Sequence, residues 1–342
     1  MKVVTDSYVL VRCCLSVVLY LCCVDSFVCA NDALFSKDGY RFQVKKIENV
    51  YDNMSMEVLK EVYRPPQEGF FPSPNGEGFG LTLDYRQKYK VYILENSHFR
   101  VDSTLYDSKG VIIRDDVFIV DPKESFNFRR LPEKSFFLAG RTNTTDSLLS
   151  KKDDLLFLNA SWSFLGKSIF FRLFEREGIK STEVTTGRDA DNGSLVVVRQ
   201  TVEIESGRGD FTYSFLNDKE WVVKDASAVS RTKQNNGEIY NQVVSQICEY
   251  GGEQNGVPII EKIYLEHSLG VGEESPQIIE RTVYTISKVQ FSPPSLDVFD
   301  VSPFLSGKIG QSVEFSLFRV FLILLGIVMI ILAIYLRRKN VA

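Results

Sequence analysis

The sequence predicts a mainly β, α+β protein: one large antiparallel sheet with one or two covering helices, followed by a C-terminal transmembrane helix. Three observations predict it. Apolar and polar residues alternate with a period of two through much of residues 81–291, the mark of strands with one buried face. Turn signals such as Asp107-Ser108-Lys109-Gly110 and Asn235-Asn236-Gly237 punctuate those runs. An uncharged apolar run near the C-terminus is long enough to cross a bilayer.

Residues 1–30 read as a secretory signal. Lys2 and Arg12 supply the positive start, and Cys13 to Val24 is an uncharged run too short to span a membrane. Val28-Cys29-Ala30 places the cleavage after Ala30; an uncleaved anchor is the alternative. A lipoprotein signal at Cys29 is disfavoured by the bulk of Phe27 and Val28. Residues 31–80 form an N-terminal segment and a loop. Met54, Val58, Leu59 and Val62 fall at helical spacing and predict a short helix near Asn53–Tyr63, while Tyr40-Arg41-Phe42-Gln43-Val44 alternates as a strand does. Arg64 to Gly78 holds four prolines and three glycines and reads as a loop.

Residues 81–291 carry the sheet. Phe99, Val101 and Leu105 alternate with Arg100, Asp102 and Thr104 before the Asp107–Gly110 turn. Val111 to Val120 follows, Asp121-Pro122-Lys123 turns the chain, and Phe126 and Phe128 resume the alternation. Asp146 to Leu158 breaks the period: Asp146 can cap, and Leu148, Leu149, Lys152, Leu155 and Leu156 make a helical stripe. Trp162 to Glu175 reads as an aromatic strand. Val196, Val198, Val202 and Ile204 share a face, and Phe211, Tyr213 and Phe215 alternate with Thr212 and Ser214. Trp221–Val229, Glu238–Tyr250, Ile259–Glu266 and Gln277–Phe291 complete the strands.

Residues 292–314, with three prolines and five serines, read as a juxtamembrane linker. Residues 315–336 form the span: at about 1.5 Å per residue they reach roughly 33 Å, the thickness of a hydrocarbon core. Arg319 can snorkel to the headgroups, and Arg337, Arg338 and Lys339 mark the cytoplasmic side, leaving 337–342 as a short cytoplasmic tail. The expected location is the cell membrane, single-pass, with the N-terminal domain periplasmic or extracellular.

Charge and cysteine usage narrow the function. The whole chain is −4; residues 1–30 sum to zero and 313–342 to +3, so 31–312 carry −7. That sign argues against a nucleic-acid partner. Of six cysteines only Cys248 follows the signal, so no internal disulfide or zinc site is expected. Cys248 shares a strand face with Tyr240 and Val244 and reads as a small buried hydrophobe. His98 and His267 are the only histidines, and no nucleophile, metal or phosphate-loop motif occurs. His267 reads as a surface residue ending a strand, and Asp115-Asp116 and Asp153-Asp154 as polar turns. No catalytic residue, metal or cofactor is assigned, and the expectation is a protein without enzymatic activity. Arg208-Gly209-Asp210 reads as a hairpin turn more than as an adhesion motif. Asn53, Asn143, Asn159 and Asn192 are glycosylation sequons, meaningful only in a eukaryotic host.

Several segments fall in a familiar order. Paired strands end in Phe118-Ile119-Val120-Asp121-Pro122-Lys123, and a leucine-rich helix follows at Leu148–Leu156. Phe211–Phe215 turns through Leu216-Asn217-Asp218-Lys219-Glu220-Trp221, and Glu249-Tyr250-Gly251-Gly252 leads to Val257-Pro258-Ile259. The close is Tyr284-Thr285-Ile286-Ser287-Lys288-Val289-Gln290-Phe291-Ser292-Pro293-Pro294. This order resembles the LolA/LppX-type lipoprotein-carrier family, in particular membrane-anchored versions of planctomycete type. The resemblance spans residues 89–299 and rests on order, not on an invariant motif. It implies a strongly curved antiparallel half-barrel whose concave apolar face lies under helices and holds acyl chains. Soluble carriers have no C-terminal span, and transport does not follow from fold alone.

Phe211, Tyr213, Phe215, Trp221, Tyr284 and Ile286 are the candidate ligand-lining residues. Their plain role is core packing; their functional role is lining a groove for an apolar ligand. The expected function is therefore an exported, membrane-anchored module that binds or transfers a lipid or lipoprotein acyl chain. The alternative is a cell-surface interaction or structural module with a filled core, and an ectoenzyme is the least favoured reading.

Overall fold

The structure, a computed structural model of the chain, describes residues 37–66, 80–95, 97–143, 155–165, 167–188, 193–204, 207–233, 238–272 and 275–309. The predicted signal, residues 1–30, lies outside the described residues. So do Asn192, the C-terminal span and its flanking Arg319, Arg337, Arg338 and Lys339. No helix among the described residues is long and apolar enough to cross a membrane.

Helix α1 (Lys37–Val50) opens the described chain, followed by β1 (Asn53–Arg64), β2 (Thr82–Leu94), β3 (His98–Asp107), β4 (Ile112–Val120), β5 (Glu124–Arg130) and β6 (Phe137–Asn143). A crossing segment holds α2 (Leu156–Asn159), the small hairpin β7 (Ser163–Phe164) and β8 (Lys167–Ser168), and α3 (Ile169–Phe174). Then come β9 (Ile179–Arg188), β10 (Ser194–Ile204), β11 (Gly207–Leu216), β12 (Val222–Lys233), β13 (Ile239–Gln254), β14 (Val257–Val271) and β15 (Gln277–Gln290). A 3-10 turn at Leu296–Phe299 and α4 (Ser302–Ile309) end it.

Thirteen strands form one open antiparallel sheet in the order β6-β5-β4-β3-β2-β1-β15-β14-β13-β12-β11-β10-β9. The chain starts at the centre with β1 and meanders outward to β6. It then crosses the sheet and meanders back from β9 to β15, which pairs with β1. The edges β6 and β9 are neighbours in sequence among the strands of this sheet, so the segment between them must traverse a whole face. A twisted sheet of this width coils rather than lying flat.

The predicted helix near Asn53–Tyr63 is strand β1. Met54, Val58 and Val62 are four residues apart, a spacing common to both periods. Met56 completes the buried two-residue pattern, and β1 is paired along both sides. The predicted strand at Tyr40–Val44 is instead part of α1, because Tyr40, Val44 and Ile47 are its buried stripe. The aromatic stretch Trp162–Glu175 is not a strand but the short hairpin and α3. Of the predicted leucine-rich helix, α2 covers Leu156–Asn159, and residues 146–154, with Asp153 and Asp154, lie outside the described residues.

Each face of the sheet has its own core. On the inner face a continuous cluster joins strands β1–β4 and β10–β15 to α1, α2 and α3. On the outer face a smaller cluster of Val117, Ile119, Phe126, Phe128 and Phe299 forms over β4 and β5. The segment read as a juxtamembrane linker supplies part of that second core. Phe299 is buried, and Phe304 stacks on Phe128 at 5.0 Å and meets Phe136 at 5.4 Å. Elsewhere the outer face is a lattice of cross-strand ion pairs such as Arg86–Glu61, Lys90–Glu57 and Arg281–Glu266.

Candidate ligand-binding face under the helices

All six candidate ligand-lining residues lie in the inner-face cluster. Phe211, Tyr213 and Phe215 project from β11 on one face because strand side chains alternate, and Tyr284 and Ile286 do the same from β15. Trp221 precedes β12 with φ at +59° and turns inward beside Phe215 at 6.4 Å. Their exposure runs only from 0 to 8 %. The face is therefore closed: these side chains touch a protein roof, not solvent.

That roof comes in pieces. Helix α1 sets Tyr40 edge-on to Phe215 at 5.5 Å. Helix α2 sets Phe157 against Tyr284 at 5.7 Å and Tyr89 at 5.3 Å. The β7–β8 hairpin brings Phe164 to Tyr213 at 6.2 Å, and α3 adds Ile169 and Leu173. Short polar ties hold the pieces to the sheet. Gln246 Nε2 on β13 donates to the carbonyls of Ala160 and Ser163 at 3.1 and 3.0 Å. Gln200 Nε2 on β10 donates to the Leu173 carbonyl at 3.1 Å. The Val223 amide donates to the Ser161 carbonyl at 3.0 Å, and Lys46 of α1 pairs with Glu220 at 2.5 Å. Sequence periodicity points to the apolar face but not to these ties, since a glutamine on a buried face has no periodic signal of its own.

Burial dominates the electrostatics here. It pushes the Cys248 thiol and the Tyr51 and Tyr213 hydroxyls up to about 12, and the Tyr40, Tyr89 and Tyr284 hydroxyls higher still. These groups stay protonated at neutral pH. Cys248 is buried as expected, with Sγ 3.8 Å from the Ala160 carbonyl. Among the described residues no cluster of His, Cys, Asp and Glu is arranged to hold a metal ion.

The other residues singled out from sequence fall elsewhere. Asp115 and Asp116 lie on β4, not in a turn. Asp115 meets Arg130 and the Thr104 hydroxyl, while Asp116 meets Arg114 and Arg129. His267 is inside β14, its Nε2 2.7 Å from Gln242 Nε2, and His98 Nδ1 lies 2.9 Å from the Ser97 hydroxyl. Arg208-Gly209-Asp210 is strand, not turn, and Arg208 pairs with Asp210 at 2.9 Å. The Asn53 side-chain oxygen accepts from the Glu95 amide, Asn143 ends β6, and Asn159 is half-buried in α2.

Two cavities lined by described residues lie on the outer face. One of about 620 Å³ is bordered by Lys88, Arg100, Asp102, Arg130, Phe136 and Phe304. The other, of about 570 Å³, lies over β13–β15. Both are lined with charges already paired, Arg100 with Asp102 along β3 and Arg281 with Glu266 across β15 and β14.

No family model and no curated protein matches the chain. Among solved structures, a domain designated an outer membrane lipoprotein-sorting protein from Vibrio parahaemolyticus aligns at 10% identity and a TM-score of 0.37. That alignment covers 79% of this chain and 99% of the other. A DUF1329 family protein from Desulfovibrio piger aligns at 12% identity and a TM-score of 0.35, over 78% and 98%. Likenesses of this size decide neither fold nor function.

Proposed function

We propose that the chain is an exported, single-pass membrane-anchored, non-catalytic module. It binds or transfers the hydrocarbon chain of a lipid or lipoprotein on the inner face of a half-barrel-like sheet. The observation that carries this reading is the roof. A continuous apolar face drawn from ten strands is covered by helices of fourteen, four and six residues, tied down piece by piece. Displacing one piece opens apolar surface without breaking the sheet. Each methylene of a bound chain then contributes about 0.8 kcal/mol, with no need for a catalytic group.

A second reading has its own observation. The almost complete burial of Phe211, Tyr213, Phe215, Trp221, Tyr284 and Ile286 favours a permanently filled core and a surface interaction module. Photo-crosslinking separates the two. The full-length chain in phosphatidylcholine nanodiscs is irradiated with palmitic acid carrying a diazirine near its methyl end, and the labelled peptides are mapped. Label on β11, β15, α2 or α3 supports the carrier reading. Label confined to residues 315–336, or none, supports the filled core. The anchor is tested by alkaline carbonate: release of the chain from the membrane pellet contradicts it.

A further inference from the structure

We infer that the corner of the inner face around Phe211 receives the anionic head, a carboxylate or phosphate monoester, of an amphiphilic ligand. This deepens the carrier reading and rests on it.

Two cations converge on one ring. Arg172 of α3 and Arg176, just beyond it, place their guanidinium carbons 5.7 and 4.6 Å from the Phe211 ring centroid. Arg172 also lies 5.6 Å from the Phe164 ring, and its Nη2 donates to the Phe164 carbonyl at 3.2 Å. Neither arginine forms an ion pair among the described residues. Two carboxylates close by are engaged elsewhere, Glu175 with Lys37 at 3.3 Å and Glu203 with Lys180 at 2.5 Å. Burial disfavours the charged form of Arg172; the Tyr213 hydroxyl offsets part of that, and the charge of Arg176 adds to it. A pair of unneutralised guanidinium groups at the margin of an apolar core is a site that an anion stabilises.

Unused donors point the same way. The Tyr213 hydroxyl and Arg172 Nε are both buried, and they face each other without reaching a well-formed hydrogen bond to any other group among the described residues. Tyr213 stacks beside Phe211 with centroids 6.4 Å apart and planes 10° apart, so its hydroxyl belongs to the same corner. A hydroxyl and a guanidinium that meet only each other leave donor capacity over, and an oxyanion accepts from both kinds.

The backbone is shaped to deliver this corner. Gly178 has φ at +80°, and a Cβ there would lie 2.7 Å from the Glu203 carbonyl oxygen. Glycine suits this turn, which leads the chain from Arg176 into β9. A Cβ on Gly209 would lie 3.0 Å from Phe211 Cε2, so a side chain there would displace the ring between the two cations. Arg172 and Arg176 are each half-buried, leaving the head within reach of solvent while the hydrocarbon runs inward along Phe164, Tyr213 and Phe215.

The test uses the full-length chain in phosphatidylcholine nanodiscs and three diazirine probes of equal length: palmitic acid, hexadecyl phosphate and hexadecanol. One or both anionic probes should label β11 or α3 at least about tenfold more than the alcohol, as a charge-assisted contact requires. Whichever anion labels identifies the head. Arg172→Gln and Arg176→Gln should each bring the ratio of anionic to alcohol labelling toward one. A thermal melt of each variant establishes that it is folded, and Arg172→Lys should retain part of the preference. Equal labelling by acid, phosphate and alcohol overturns the headgroup site and leaves the carrier reading standing. Labelling by none of them overturns both.

Discussion

Gln246 and Gln200 sit on buried strand faces where alternation calls for aliphatic side chains, and each holds the crossing segment to the sheet. Replacing Gln246 with Leu strands the Ala160 and Ser163 carbonyls in the core. The expected loss is about 1–3 kcal/mol of unfolding free energy at an unchanged urea m-value. A variant as stable as the parent would show that the tie contributes nothing. Cys248 governs the alkaline limit. Its thiol is raised from 9.0 to about 12, so its contribution is full below pH 9 and is lost as pH rises toward 12. Tyr51 and Tyr213, raised from 10.0 to about 12, act in the same direction from pH 10. The urea midpoint should therefore fall between pH 9 and 12, and Cys248→Ala should remove the part that begins at pH 9. A flat midpoint up to pH 11 would contradict this, as would rapid reaction of folded Cys248 with a thiol reagent at pH 8.

Helix α4 and the 3-10 turn before it behave as part of the sheet. Cutting the chain after Ile309 keeps Phe299 and Phe304 on the outer core, whereas cutting after Phe291 uncovers Val117, Ile119, Phe126 and Phe128. The shorter chain should be less stable by about 3 kcal/mol or more, given about 1.5–3 kcal/mol for each buried side chain of this size. Equal urea midpoints for the two truncations would return this segment to the status of a linker. The turn between α3 and β9 is equally specific. Gly178→Ala sets a Cβ against the Glu203 carbonyl and is expected to lower stability by about 1–3 kcal/mol, read by thermal melting.

The whole molecule is two meanders joined at the centre by the β1–β15 pairing, with the crossing chain laid over one face. A carrier of this design needs a roof that opens more easily than the sheet unfolds. Hydrogen exchange should therefore find the amides of α1, α2 and α3 exchanging through local opening, while those of β1 and β15 exchange only through global unfolding. Roof amides as slow as the central strands would favour the filled-core reading. Much of the sheet was legible because one face is buried and the other solvated. The register of Phe99, Val101, Phe211, Tyr213 and Phe215 follows from that contrast alone. Met54, Val58 and Val62 misled because their spacing satisfies both periods, and Tyr40-Arg41-Phe42-Gln43-Val44 because five residues span little more than one helix turn, in which buried Tyr40 and Val44 fit either period. The apolar half of the candidate site was equally legible. Arg172 and Arg176 were not, since a cation beside an aromatic ring leaves no periodic trace.

By itself the sequence determines that the described region is mainly β and, in strands such as β3, β10 and β11, which side chains are buried. It also places an acidic central region between two apolar ends. Those properties are local, set by hydration and by the two-residue repeat. Only the tertiary structure decides that β1 meets β15, that the last helix builds a second core, and that two arginines flank Phe211. Each depends on contacts between residues far apart in the chain, whose free energy exists only once the sheet brings them together.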